Sequence, residues 1–115
     1  MIQGSYTKES WAAMVDAPED RSIQARHLVE NVGGRLETFY WSFGADDFLA
    51  IAELPNDEAA GAISLAVSSS GTGHNVRTTK LITVEEGISM LLKAKTATAG
   101  YAKPGAKAGS LASKN

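Results

Sequence analysis

The chain of 115 residues has no cysteine. That one absence excludes disulfides, thiolate metal sites and cysteine nucleophiles together. Its two histidines, His27 and His74, lie far apart in the chain and have no third ligand near either. No metal site is expected from them. No apolar run approaches the roughly 20 residues that cross a bilayer. The opening stretch MIQGSYTKESW lacks a basic segment followed by an apolar one, so it does not read as a signal peptide. No membrane partner is expected, and the cytoplasm is the default compartment. A nucleophile elbow, a zinc-protease motif and a complete dinucleotide fingerprint are also missing, and no cofactor is expected.

Charge of one sign is scarce in each part of the chain. Residues 1–92 hold all 13 acids and 6 of the 11 Lys and Arg, leaving −7. Residues 93–115 hold five lysines and no acid. An acidic body does not suit nucleic acid, whose binding depends on neutralising phosphates. The basic end lacks clustered arginine and interleaved aromatics, so it reads as a solvated tail, and no nucleic-acid partner is expected.

What is present is an ordinary globular composition, 43% hydrophobic and 21% charged. At this length one domain is expected, over residues 1–95, with an Ala/Lys/Gly-rich tail over 96–115. Residues 2–6 (IQGSY) read as a strand. Thr7 caps a helix with Trp11, Met14 and Val15 as its inner face. The stretch DAPED breaks that helix at Pro18, and it resumes with Pro18 near the first turn. Ala25, Leu28, Val29 and Val32 form the better apolar face, and Gly33-Gly34 closes the helix.

Arg35 to Phe43 alternates as a strand. Glu37, Phe39, Trp41 and Phe43 are expected on one face, and Leu36, Thr38, Tyr40 and Ser42 on the other. Gly44-Ala45-Asp46 is the turn, and Asp47 to Leu54 the return strand of an antiparallel hairpin. Leu49 and Ile51 are expected on one face of the hairpin with Phe39, Trp41 and Phe43, and Phe48, Ala50, Ala52 and Leu54 on the other with Tyr40. Asn56 caps an alanine-rich helix, SSSGTGHN ends it, and Val76 to Ile82 forms the fourth strand. Thr83 with Glu86 is a capping box that opens a last helix through Leu92. The order is α+β in the ferredoxin-like βαββαβ pattern: a four-stranded antiparallel sheet with helices on one face, plus a C-terminal helix.

Residues 39–51 carry apolar side chains on both faces of their strands. One packed face would give clean alternation. The expected remedy is a second copy of the chain against the open sheet face, as a two-fold homodimer, with a higher oligomer left open.

Candidate chemistry is sparse. Asp46 and Asp47 are adjacent, so in a strand they point to opposite faces and cannot share a proton; Gly and Asp also suit a turn. Asp47 is the better functional candidate of the two. His74, in a loop beside Asn75 and close to Arg77, suits a general base or an anion contact. His27 reads as a helix histidine. The stretch SSSGTG lacks a Gly-Lys-Ser/Thr ending and follows a helix instead of opening one, so it is a poor phosphate cradle. Trp11, Tyr40, Trp41 and Phe43 are the candidate walls of a small-molecule pocket between sheet and helices, weighed against core or interface packing. Two functions stay open. One is a homo-oligomeric module that binds a small apolar ligand or a protein partner. The other is a small cofactor-free enzyme of oxygenase or isomerase type using His74, Arg77 and Asp47.

The stretches GSYT (4–7), LVENVGGRLETFYWSFGADDFLAIAELPNDEAA (28–60) and NVRTTKLITVEE (75–86), with Tyr101 and Pro104 behind them, resemble the GYD-domain family of small bacterial proteins. Gly44 and Asp47 fit the hairpin signature of that family, with Asp46 at its tyrosine position. The resemblance implies a dimeric α/β-barrel assembly, in which two ferredoxin-like sheets close face to face. It implies no reaction.

Overall fold

The structure is a computed structural model and describes residues 1–105. Residues 106–115 of the expected tail lie outside the described residues. Two compact units divide the chain, Met1–Lys80 and Leu81–Asn115.

The first unit contains β1 (Ile2–Tyr6), α1 (Lys8–Asp16), α2 (Arg21–Asn31), β2 (Arg35–Trp41), β3 (Phe48–Glu53), α3 (Asp57–Ser69) and β4 (Gly73–Thr78). The strands form one antiparallel sheet in the order β2-β3-β1-β4, the ferredoxin-like order expected from the sequence. Local chemistry sets the helix starts. Thr7 Oγ1 accepts from Ser10 N, and Asn56 Oδ1 accepts from Ala59 N. Asp20 takes the same role for α2, accepting from the backbone N–H and the hydroxyl of Ser22. The helix expected to resume near Pro18 therefore begins at Arg21, where a side chain can satisfy its first free N–H groups. Gly33, at φ 85, closes α2 in the left-handed conformation that glycine adopts without penalty.

The core lies between the sheet and its helices. Ile2, Val29, Leu36, Ala50 and Ile63 are buried together, and Tyr6, Met14 and Phe48 form an adjoining cluster. Ala25, Leu28 and Val32 of α2 pack on the first cluster, as their spacing requires. Val15, expected beside Met14, is exposed: it follows Met14 by one position and so lies about 100° round the helix from it. Gly4 makes room for the Phe48 ring, and Gly73, at ordinary contact distance from that ring, makes room for Ser5 O and Val67. A Cβ on Gly4 would lie 2.9 Å from that ring, and one on Gly73 3.6 Å from it.

Two bulges change the expected faces. Leu36 pairs with Ala52, but Thr38 pairs with Ile51, so β2 carries an extra residue. Leu36 thereby joins Phe39 and Trp41 on the helix-covered face, opposite Ala52, Ala50 and Phe48. The expected grouping of Phe39 and Trp41 with Leu49 and Ile51 is corrected. The hairpin register places Phe39 opposite Ala50 and Trp41 opposite Phe48, and cross-strand partners share a face. Tyr40 and Thr38 stand on the uncovered face with Leu49 and Ile51.

The second bulge is in β4. Gln3 pairs with Arg77 and Ser5 with His74, so β4 has an extra residue between these pairs. Asn75 within this stretch has φ 54, a left-handed conformation that asparagine tolerates. The strand therefore runs from Gly73 to Thr78, not from Val76 to Ile82, and His74 lies in it, not in a loop. The bulge brings His74 and Arg77 onto the same, uncovered face.

In the second unit, α4 (Val84–Ala97) opens on the expected capping box. Thr83 Oγ1 accepts from Glu86 N at 3.0 Å, and the Glu86 carboxylate accepts from Thr83 N at 2.8 Å. The helix continues beyond Leu92 because Lys93, Ala94, Lys95 and Ala97 include good helix formers and no proline or glycine. Val84, Ile88, Leu91 and Leu92 are exposed on it.

Candidate functional site

The adjacent carboxylates at the end of the hairpin take different partners. Asp47 Oδ2 accepts from the backbone N–H of Tyr6 at 2.9 Å and from Trp11 Nε1 at 3.3 Å. It thereby ties β1, α1 and the hairpin together. Asp46 accepts from Arg77 in fork geometry, Nη1 to Oδ1 at 3.0 Å and Nη2 to Oδ2 at 2.6 Å. Planar guanidinium suits that two-point contact. The pair crosses over β1, which lies between β3 and β4. Asp46 is only 9% exposed. The Arg77 hydrogen bonds and charge hold its carboxyl below the usual range, and Asp46 raises Arg77 in return. The loop is closed by Ser42, whose N–H donates to Asp47 O and whose hydroxyl donates to Asp46 O.

An aromatic cluster surrounds Tyr6. Trp11 meets it edge-on with centroids 5.0 Å apart, Phe48 lies at 5.1 Å and Trp41 at 6.3 Å. Such offset and edge contacts suit the charge distribution of the rings. Trp41 Nε1 donates to the Tyr6 phenol oxygen at 2.9 Å. Burial pushes the Tyr6 phenol above its ordinary pKa, against the opposing pull of the Trp41 N–H and the Arg21 guanidinium. The phenol stays protonated at neutral pH.

Below this cluster, between sheet and helices, is a cavity of about 90 Å³. Its aromatic walls are Tyr6, Phe39 and Phe48. The expected pocket residues take other places. Trp11 and Trp41 belong to the cluster above it, while Tyr40 and Phe43 are exposed. Of the three expected polar residues, Arg77 is engaged with Asp46, and Asp47 with Tyr6 and Trp11. His74 is exposed across from Ser5, with no hydrogen bond to either among the described residues. His27 is exposed on α2.

Sequence reasoning missed Tyr6 and Arg21, and it ranked Asp46 behind Asp47. Tyr6 was legible in principle: Ile2, Gly4 and Tyr6 alternate, and all three are buried. Arg21 left no such signal, and nor did the pairing of Asp46 with Arg77, because the partners lie in different elements.

No group of three or more histidine or acidic side chains is placed to hold a metal ion among the described residues. No described helix is long and apolar enough to cross a membrane.

The sheet order and its covering helices define an α+β protein with a ferredoxin-like sheet. The GYD domain family model matches residues 1–91, and the chain belongs to that family. No curated protein and no solved structure matches it.

Proposed function

We propose that this GYD-domain chain is a homodimeric binding module, closed through its uncovered sheet face in the manner of a dimeric α/β barrel, that holds a small apolar ligand. The observation that carries the dimer is the composition of that face. Tyr40, 64% exposed, stands there with Leu49 and Ile51, and Phe43 is fully exposed at the hairpin end. Fully burying an exposed side chain of this size contributes roughly 1.5–3 kcal/mol, and the half-buried Leu49 and Ile51 add less. A two-fold pairing lets one patch cover its own copy, and the Asp46–Arg77 pair already neutralises the charge there.

Two observations favour a module over a cofactor-free enzyme. Asp47 and Arg77 are engaged with separate partners, and neither meets His74. An acid–base site needs such groups within reach of one reacting atom.

Sedimentation equilibrium at micromolar concentration tests the assembly. A dimer that Ile51→Lys converts to a folded monomer is expected. A wild-type monomer at that concentration overturns the dimer.

A further inference from the structure

The cavity beneath the sheet has a chemical polarity that narrows what it takes. Its deep wall is hydrocarbon: Ile2, Val29, Leu36, Phe39, Phe48 and Ala50. No acidic side chain lines it. The residues with polar side chains that line it are Tyr6, Arg21, Gln24 and Thr72. Arg21 and Thr72 also line a second, wider cleft of about 330 Å³, with Ser10, Met14 and Glu19. Arg21 and Thr72 therefore line both spaces.

Tyr6 is only 5% exposed, yet its hydroxyl is incompletely satisfied. Its oxygen accepts from Trp41 Nε1, and the Arg21 guanidinium faces the same oxygen. Both neighbours are donors, so neither can take the phenol proton. Among the described residues that proton makes no hydrogen bond to an acceptor, although Gln24 and Thr72 line the same cavity. A buried hydroxyl without an acceptor is costly, and an incoming acceptor oxygen relieves it. Arg21 gives one nitrogen, Nη1, to Glu19 and retains other N–H groups. A hydroxyl proton and a guanidinium at the mouth of an apolar cavity match a carboxylate with a hydrocarbon tail.

Size sets the tail. A cavity of about 150 Å³ holds benzene, so 90 Å³ holds about three to four carbons. We propose that the cavity binds a short-chain carboxylate of the butyrate or isovalerate class. Its tail lies among Phe39, Phe48 and Ala50, and its carboxylate lies between the Tyr6 hydroxyl and Arg21. This deepens the ligand half of the module reading. The cavity lies on the helix-covered side of the sheet, opposite the proposed dimer face.

Titration of the full chain with butyrate and isovalerate tests it, read by NMR at the Trp41 Nε1–H, which touches Tyr6. Butylamine and acetate serve as controls for charge and tail. Expected is a saturable shift with butyrate and isovalerate, weaker binding of acetate and none of butylamine. Arg21→Gln and Tyr6→Phe are each expected to weaken butyrate about tenfold or more, as loss of a charged hydrogen bond does. Ala25→Leu, which fills the cavity from α2, abolishes the shift while its unaltered circular dichroism reports an intact fold. No saturable shift with either carboxylate, equal binding of butylamine, or unchanged affinity in folded Arg21→Gln overturns the assignment. Sedimentation of the same samples separates the two proposals. A dimer without butyrate binding removes only the ligand, and a monomer that binds butyrate removes only the dimer.

Discussion

The two faces of the sheet are drawn from alternate residues of the same four strands, and they are used differently. On the helix-covered face, Ile2, Tyr6, Leu36, Phe48 and Ala50 are buried within one chain. On the uncovered face, Gln3, Ser5, Thr38, His74 and Arg77 surround only Leu49, Ile51 and Tyr40. One face has its apolar partners inside the chain. The other carries mixed chemistry, and any apolar partner for it must come from outside the unit Met1–Lys80. A single hairpin supplies both, so the loss on truncating an aromatic should depend on its face more than on its size.

The largest expected effect is on the covered side. Phe48→Ala should destabilise the fold by about 3–5 kcal/mol, since it empties a site bounded by Tyr6, Phe39 and two glycines. Tyr40→Ala, one strand across on the other face, should change unfolding of the dilute chain by under about 1 kcal/mol. Urea unfolding of both variants checks the contrast, and equal losses would break it.

Next is overpacking at Gly4, whose Cβ would meet the Phe48 ring at 2.9 Å and Val76 at 3.2 Å. Gly4→Ala should cost about 1–3 kcal/mol. Gly44→Ala, with nothing within 4 Å of the new methyl group, should be near neutral. Thermal unfolding of the pair measures the difference.

The two aspartates sharpen the same comparison at smaller scale. Asp47→Ala leaves the Tyr6 N–H without its acceptor, a loss of about 1–3 kcal/mol in denaturant unfolding. The loss at Asp46 depends on pH. Arg77 depresses the Asp46 pKa in the folded chain, so the pair stabilises the fold fully above the ordinary aspartate value of about 3.9. That contribution is lost as pH falls through the depressed value. Urea midpoints of wild type and Asp46→Asn should therefore differ at neutral pH and converge in acid. A constant difference would remove the ion pair as its cause.

Much of this architecture was legible before any coordinates. Thr7, Asn56 and the Thr83–Glu86 box mark helix starts because a cap acts within a few residues of itself. Ala25, Leu28, Val29 and Val32 announce the inner face of α2 by spacing alone. Asp46 and Asp47 do take separate partners, but both lie in the turn before β3, so strand alternation is not the reason. The placements of Phe39, Trp41 and His74 were not legible. Alternation assigns faces only while the register is unbroken, and each bulge shifts the count by one residue. Asn75 is a clue to the second bulge, since asparagine tolerates a left-handed backbone. Glu37, in the first, carries no comparable mark. The cavity was hidden for a related reason: Tyr6 and Arg21 are 15 positions apart and belong to a strand and a helix.

By itself, the sequence determined the kinds and order of the elements, three of the four capped helix starts and the absence of thiol chemistry. These are local properties, written in neighbours and in periods of two and 3.6 residues. Only the tertiary structure decided which aromatics meet, which acid takes Arg77 and where a buried phenol is left with a proton to donate. Those depend on strand pairing and helix docking between residues far apart in the chain, where a one-residue bulge exchanges the two faces.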